Sequence, residues 1–183
     1  MRIYLVRHGE TQWNAAGRVQ GQLDSPVTAR GIQQIAALCR ALENEEIGCV
    51  VTSTLGRATL AAAQIAARFN CPVREDARLI ERSFGGGDGN LYDEDLLCYG
   101  EPVAEVSQRA IAALLDISRL TTGNVCVVTH GHVIQSVVAR LADNRHENFP
   151  RYAHDNGAYS VLDVTDNALT LVKWGIATHL LRI

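Results

Sequence analysis

The sequence predicts an α/β fold in three layers, with a mostly parallel central sheet between two layers of helices. The first observation is a set of continuously apolar, β-rich runs, which is typical of strands that are covered on both faces. The runs are 3–6, 47–52 and 125–128. The second observation is that segments with apolar residues at helical spacing lie between and after these runs. Strands that alternate with helices indicate a layered α/β architecture.

Four segments carry the helical spacing, and each is long enough for a helix of ordinary length. They are 28–43, 56–69, 103–120 and 133–141. Thr28 precedes the first of them, where its hydroxyl could accept a hydrogen bond from a backbone N–H and cap the helix. A short strand is predicted at 72–74, and an extended segment at 79–81.

The C-terminal part predicts an antiparallel pair of strands. Apolar and polar residues alternate in 160–164 and in 169–174, and Asp166-Asn167 between them is typical of a turn. Upstream, "GGGDG" at 85–89 breaks all periodicity, so we predict a mobile loop there. The segment 85–101 is the one marked excursion, and we predict a single domain over 1–183.

Composition limits the classes of function. The chain has 183 residues, 47% hydrophobic and 20% charged, with a net charge of −3. An acidic balance disfavours a nucleic acid as the main partner. The five cysteines are odd in number and form no CxxC pair, which favours a reducing compartment. Without a signal-peptide pattern or an apolar stretch of membrane-spanning length, a cytoplasmic protein with no membrane partner is predicted.

Two predicted strands end in a histidine followed by a glycine. They read "LVRHG" at 5–9 and "VVTHG" at 127–131. Ligands of open α/β sheets bind beyond the carboxyl ends of the strands, so His8 and His130 should face one crevice. Gly9 and Gly131 would allow the backbone to approach a ligand closely.

Two arginines favour an anion in that crevice. Arg7 precedes His8, and Arg57 lies in the first turn of a predicted helix. Guanidinium groups are permanently charged and forked, and this suits phosphate. His130 and His132 form an HxH pair without a third ligand at useful spacing, so no metal is expected. The "GGGDG" stretch lacks the lysine of a phosphate-binding P-loop.

Four motifs taken together resemble the histidine phosphatase superfamily, in its phosphoglycerate-mutase-like branch. They are "RHGET", "GRATLAAA", "LIERSFG" and "VVTHGHVI", in the order in which that family carries them. The match covers most of the chain and is much more specific than "RHG" alone.

The resemblance implies the roles of the reacting groups. His8 would be the nucleophile that forms a phosphohistidine, and Glu81 the general acid and base. Arg7, Arg57 and a protonated His130 would hold the phosphoryl oxygens. These charges suit phosphoryl transfer, which depends on positioning and charge stabilisation, so neither a metal nor an organic cofactor is expected.

The resemblance also implies a second group of binding residues. Asn14 would hydrogen-bond the phosphoryl group, Gln20 and Gly21 would line the mouth of the site, and Gly131 would lie against the phosphate.

The segment 85–101 is shorter than the cap that such relatives usually carry, and it ends in Gly100-Glu101-Pro102 rather than a "GES" turn. A reduced cap favours hydrolysis over a mutase reaction, because a mutase must exclude water. Phosphoglycerate mutase activity, a phosphoprotein (phosphohistidine) phosphatase and, last, a non-catalytic phosphate-binding module stay open. The predicted partner is a small phosphorylated metabolite or a phosphoprotein; the oligomeric state stays open, with a homodimer as one option.

Overall fold

The computed structural model of the protein describes residues 1–93, 99–181 and 183. In these residues six strands form one sheet, in the order β3-β2-β4-β1-β5-β6. The strands are β1 (Arg2–Arg7), β2 (Ile47–Thr52), β3 (Val73–Glu75), β4 (Asn124–Thr129), β5 (Tyr159–Thr165) and β6 (Ala168–Ile176). The pairs β3-β2, β2-β4 and β4-β1 are parallel, whereas β1-β5 and β5-β6 are antiparallel. The predicted, mostly parallel sheet is confirmed.

Helices cover both faces of this sheet. They are α1 (Gln12–Ala15), α2 (Ala29–Ala41), α3 (Gly56–Phe69), α4 (Val103–Leu120) and α5 (Gly131–Ala142). One core cluster joins the sheet to α2 and α3, and a second joins it to α4 and α5. The three predicted layers are therefore confirmed.

The strands divide their side chains between the two cores with the period of a β-strand. In β1, Ile3 and Leu5 belong to the core beneath α4 and α5, and Tyr4 and Val6 to the core beneath α2 and α3. All four are buried. Because both faces of the strand are covered, the sequence reads as a continuous apolar run and not as an alternating one.

Two local predictions agree with the structure. The hydroxyl of Thr28 accepts a hydrogen bond from the backbone N of Gly31 at 3.0 Å, so Thr28 caps α2 as expected. Asp166 and Asn167 join β5 to β6 with φ angles of 50° and 60°. Asn and Asp tolerate this left-handed conformation better than most residues, which explains the turn.

The extended segment predicted at 79–81 is wrong in its first residue. Ala77–Leu79 forms a 3₁₀ turn, and Ile80 is the first extended residue. Asp76 causes the difference, because its carboxylate accepts a hydrogen bond from the backbone N of Arg78 at 2.9 Å and pairs with the Arg78 guanidinium. This local capping contact competes with extended backbone.

The stretch predicted as a mobile loop contains a 3₁₀ turn, Gly85–Gly87. The Asp88 carboxylate accepts hydrogen bonds from the backbone N of Phe84 at 2.9 Å and of Gln22 at 3.2 Å. Gly89 N also donates to the carbonyl of Val19 at 2.7 Å. These contacts fasten the stretch to the loop 17–22. Residues 94–98 of the predicted cap segment lie outside the described residues.

The described cysteines are free thiols: Cys39, Cys49, Cys71 and Cys126. Cys98 lies outside the described residues. In the part of the chain that the structure describes, no helix is both long and apolar enough to cross a membrane.

Candidate active site

The ends of β1 and β4 bring the two predicted histidines together. These strands are parallel neighbours with Arg7 in register with Thr129, so the residues that follow them leave the sheet at one edge. His8 N donates to the carbonyl of Thr129 at 3.1 Å. The rings of His8 and His130 lie with their centroids 5.2 Å apart.

A cavity of about 260 Å³ opens at this edge of the sheet. Eight of the nine predicted site residues line it: Arg7, His8, Asn14, Gln20, Gly21, Arg57, Glu81 and Gly131. The ninth, His130, is fully buried next to His8. The sequence therefore identified residues that meet in space, although they lie up to 124 positions apart (from Arg7 to Gly131).

His8 is held as a neutral imidazole with a defined tautomer. Its Nδ1 lies 2.8 Å from the carbonyl oxygen of Gly9, which only accepts, so the proton is on Nδ1. Arg57 Nε donates to His8 Nε2 at 3.2 Å, which places the lone pair on Nε2. Burial, then Arg57 and Arg7, lower the pKa of His8 well below its usual value. Nε2 is the nitrogen available for attack.

Arg57 is buried and bonded mainly to the protein. Besides His8, its guanidinium donates to the carbonyl of Gly21 at 2.8 Å and to that of Leu23 at 2.6 Å. It also pairs with Asp24 at 2.8 Å. Arg57 thus fixes the loop 17–24 next to His8, in addition to any contact with a ligand.

One N–H of Arg7 has no hydrogen-bond partner among the described residues. One terminal nitrogen donates to the carbonyl of His154, and Nε is buried without a partner in the described chain. Burial lowers the pKa of Arg7, and the charges of Glu81 and Asp155 oppose that shift. A buried guanidinium with an unused N–H favours an anion beside it.

His130 is neutral in this structure, contrary to the expectation of a protonated ring. Burial, followed by the charge of Arg57, lowers the pKa of His130 well below its usual value. Its Nε2 lies 2.7 Å from the Ser53 hydroxyl, and its Nδ1 is buried with no partner among the described residues. The positive charge of the site therefore comes from arginines, of which Arg7, Arg18 and Arg57 line the cavity.

Asn14 is held by its amide oxygen. That oxygen accepts hydrogen bonds from Thr11 N at 3.2 Å, from the Thr11 hydroxyl at 3.1 Å and from Asn156 Nδ2 at 3.1 Å. Because the oxygen is occupied, the NH₂ group is the one left for a ligand in the cavity.

Gln20 and Gly21 are buried residues that line the cavity and also stabilise its loop. The side-chain oxygen of Gln20 accepts from the Ser25 hydroxyl at 3.0 Å. Gly21 has a φ of +52°, and a Cβ there would meet Asp88 Oδ1 at 2.0 Å. Only glycine fits this combination of left-handed backbone and close approach.

Glu81 is oriented by two backbone donors. Oε1 accepts from the N–H of Arg82 at 2.8 Å, and Oε2 from the N–H of His132 at 3.4 Å. Its side chain is largely buried and lines the cavity. The second contact is made by the first turn of α5, so β4 and α5 position Glu81 as well as His130.

Sequence reasoning missed six side chains that line the same cavity: Arg18, Val19, Phe84, Tyr92, His132 and Gln135. His132 was considered only as half of an HxH metal motif, yet its place directly after Gly131 already put it at the site. In the described part of the chain no three His, Cys, Asp or Glu residues form a group that could hold a metal ion.

Comparison with known proteins agrees with the motif resemblance. Residues 3–177 match the family model of the histidine phosphatase superfamily (branch 1). The chain belongs to this superfamily, whose members here include phosphatases and phosphoglycerate mutase-like enzymes.

Individual relatives carry two kinds of name. Phosphoserine phosphatase 1 of Hydrogenobacter thermophilus is 29% identical, with 98% of this chain and 94% of that protein aligned. "Probable phosphoglycerate mutase GpmB" of Klebsiella pneumoniae (strain 342) is 36% identical over 77% of this chain and 74% of that protein. Among solved structures, Bacillus stearothermophilus YhfR superposes with a TM-score of 0.90 at 29% identity, covering 98% of both chains.

Proposed function

We propose that this protein hydrolyses phosphate monoesters through a phosphohistidine on His8. The observation that carries the proposal is the state of the His8 ring. Its proton is fixed on Nδ1 by the Gly9 carbonyl, and its Nε2 lone pair lies at a cavity lined by three arginines, Arg7, Arg18 and Arg57. A neutral imidazole with its lone pair on Nε2 is a competent nucleophile toward phosphorus, and the hydrogen bond from Arg57 Nε must be released for the attack.

The first half-reaction transfers the phosphoryl group to the enzyme. His8 Nε2 attacks phosphorus, the bond from phosphorus to the ester oxygen breaks, and the Glu81 carboxyl group gives its proton to the departing alkoxide. In the second half-reaction Glu81 takes a proton from water as the water oxygen attacks phosphorus. The N–P bond breaks, inorganic phosphate leaves, and Glu81 is again protonated.

The negative charge of the phosphoryl oxygens is stabilised by the site groups that have no hydrogen-bond partner among the described residues. Arg7 Nε and His130 Nδ1 are buried and unpartnered in the described chain, so they are suited to hold phosphoryl oxygens. Arg57 adds its charge next to His8, and the Asn14 amide supplies a further donor. Gln20, Gly21 and Gly131 shape the remaining wall.

The proposed substrate is a small phosphorylated metabolite. A relative named for phosphoserine and one named for phosphoglycerate support this class. Mutase activity is the second candidate, and the 36% identity to the GpmB protein favours it.

The test uses p-nitrophenyl phosphate. Turnover quenched with alkaline detergent should trap a phosphoenzyme that is stable in base and labile in acid, and His8→Ala should lower kcat by at least about 10³-fold and remove the phosphoenzyme. His146→Ala, a histidine that does not line this cavity, is the matched control and should keep full activity. Normal turnover by His8→Ala would exclude the mechanism.

A second assay separates the two activities. With 3-phosphoglycerate, release of inorganic phosphate should be faster than exchange of the phosphoryl group between positions 2 and 3. Exchange faster than release would make the protein a mutase.

A further inference from the structure

His132 and Gln135 line the cavity, but the proposed mechanism gives neither a role. Both belong to the first half of α5, and residues three positions apart share one face of a helix. The α5 face that reaches the cavity therefore presents an imidazole and an amide next to each other. These are polar groups without a formal charge.

The His132 ring is fixed in orientation. It packs edge-to-face between two aromatic rings, with centroid distances of 5.0 Å to Phe84 and 5.2 Å to Phe149. Its backbone N also donates to Glu81 at 3.4 Å. A ring held from both sides and from its own backbone is preorganised for one contact and loses little entropy on making it.

One ring nitrogen of His132 is enclosed. Nδ1 is buried and has no partner within the described residues. A buried N–H without an acceptor is rarer in proteins than a buried acceptor without a donor, so we assign the proton of His132 to Nε2. The lone pair then lies on the enclosed Nδ1, and Nε2–H is the donor that a ligand in the cavity can meet.

The ring is neutral. Burial lowers the pKa of His132; the charge of Glu81 opposes this shift, and the charges of Arg82 and Arg7 add to it. A neutral N–H donor suits a neutral oxygen acceptor, whereas a carboxylate is better matched by a guanidinium.

Resting on the proposed function, we propose that His132 Nε2–H and the Gln135 amide bind a neutral oxygen in the alcohol part of the substrate. The substrate class is then phosphate monoesters of hydroxylated alcohols, such as polyol or sugar phosphates. His132 is a specificity residue, and the phosphoryl group stays with His8.

The kinetic test compares glycerol 1-phosphate with propyl phosphate, which has the same carbon chain without the hydroxyl groups. We expect His132→Phe to lower kcat/KM for glycerol 1-phosphate by about 3- to 10-fold, the effect of one lost hydrogen bond. For propyl phosphate the loss should be less than about twofold, because phenylalanine keeps the aromatic packing. His132→Gln, which retains an N–H donor, should recover part of the preference.

An equal loss on both substrates would mean that the ring only supports the site, and would overturn the proposal. A wild-type enzyme without preference for glycerol 1-phosphate would do the same.

A binding experiment separates this inference from the proposed chemistry. In His8→Ala protein, which cannot form a phosphohistidine, titration should show tighter binding of glycerol 1-phosphate than of propyl phosphate. Adding His132→Phe should remove that difference. Equal affinities, or no binding of either, would overturn the inference. Discrimination in binding without turnover by the wild type would refute only the proposed hydrolysis.

The tautomer gives a third readout. Nitrogen-15 NMR at pH 7 should show the His132 proton on Nε2, and a proton on Nδ1 would overturn the assignment.

Discussion

At the scale of single residues, Asp24 connects the loop above the site to α3. Its carboxylate accepts from Gly56 N at 2.6 Å and pairs with the Arg57 guanidinium at 2.8 Å. Leu55, the N-cap of α3, has no side-chain capping bond of its own. Asp24 is far from α3 in the sequence, but it supplies the hydrogen-bond acceptor that the N-terminus of α3 needs. It also orients Arg57, which contacts His8.

We predict that Asp24→Ala lowers the free energy of unfolding by about 1–3 kcal/mol, because a helix start and a buried guanidinium lose their acceptor. Urea unfolding measures the change, and KM for p-nitrophenyl phosphate should rise with it. Glu46→Ala removes a carboxylate from an exposed position and should stay within about 0.5 kcal/mol of the wild type. Equal stability of the two variants would contradict this role of Asp24.

At the scale of elements, the segment 84–92 is attached to the loop 17–22 as an irregular pair. Val19 N donates to the carbonyl of Asn90 at 2.9 Å, and Arg18 and Leu91 form an isolated β-bridge. The Asp88 carboxylate adds its two backbone contacts to Phe84 and Gln22. The segment therefore holds Phe84 and Tyr92, at its two ends, in the wall of the cavity.

We expect Asp88→Ala to raise KM by about 3- to 10-fold with a smaller change in kcat, since two hydrogen bonds to a charged acceptor disappear from the wall and not from the reacting groups. Steady-state kinetics with p-nitrophenyl phosphate measures both constants. Gly86→Ala is the control within the same stretch, because a Cβ there meets nothing within 4 Å. A drop in kcat alone would place Asp88 in the chemistry instead.

At the scale of the whole molecule, an acidic protein encloses a positive site. The net charge is −3, yet the half-buried Arg7 lies together with the buried Arg57 and the buried rings of His8 and His130. The buried rings can take up a proton only at a large cost, because burial and the nearby guanidinium groups oppose it. The free energy of unfolding therefore depends on pH.

The sign of that dependence follows from the lowered pKa values of His8 and His130. Below about pH 6.5 the unfolded chain binds protons that the folded protein refuses, so stability is full above this pH and falls on acidification. Between pH 7 and pH 5.5 we predict a loss of about 2–3 kcal/mol from these two residues. Urea unfolding at both pH values measures it.

A matched variant isolates one of the two histidines. His130→Gln cannot titrate, so its stability should decline by about 1.3 kcal/mol less over the same interval. A wild-type stability that stays constant from pH 7 to pH 5.5 would contradict the neutral state of the buried rings.

Asn14, Gln20, Gly21 and Glu81 were indicated by the motif resemblance alone. The sequence by itself determined the layers, the strands that end at the site, and the two histidines and two arginines that meet there. This was possible because apolar periodicity follows directly from burial, and because both His-Gly motifs come straight after buried parallel strands. The turn at Asp166-Asn167 could be predicted for the same local reason, since its conformation depends on those two residues.

Only the tertiary structure decided the protonation of the site and its remaining contacts. His130 was expected to be charged, and Leu79, the last residue of a 3₁₀ turn, was expected to be extended. Burial of one ring and the contact of Asp76 with Arg78 reverse these expectations. The partnership of Asp24 with Arg57, and the placement of His132 between two phenylalanines, join residues that are distant in the chain. Desolvation and long-range packing depend on all neighbours at once, and a local pattern of residues does not contain them.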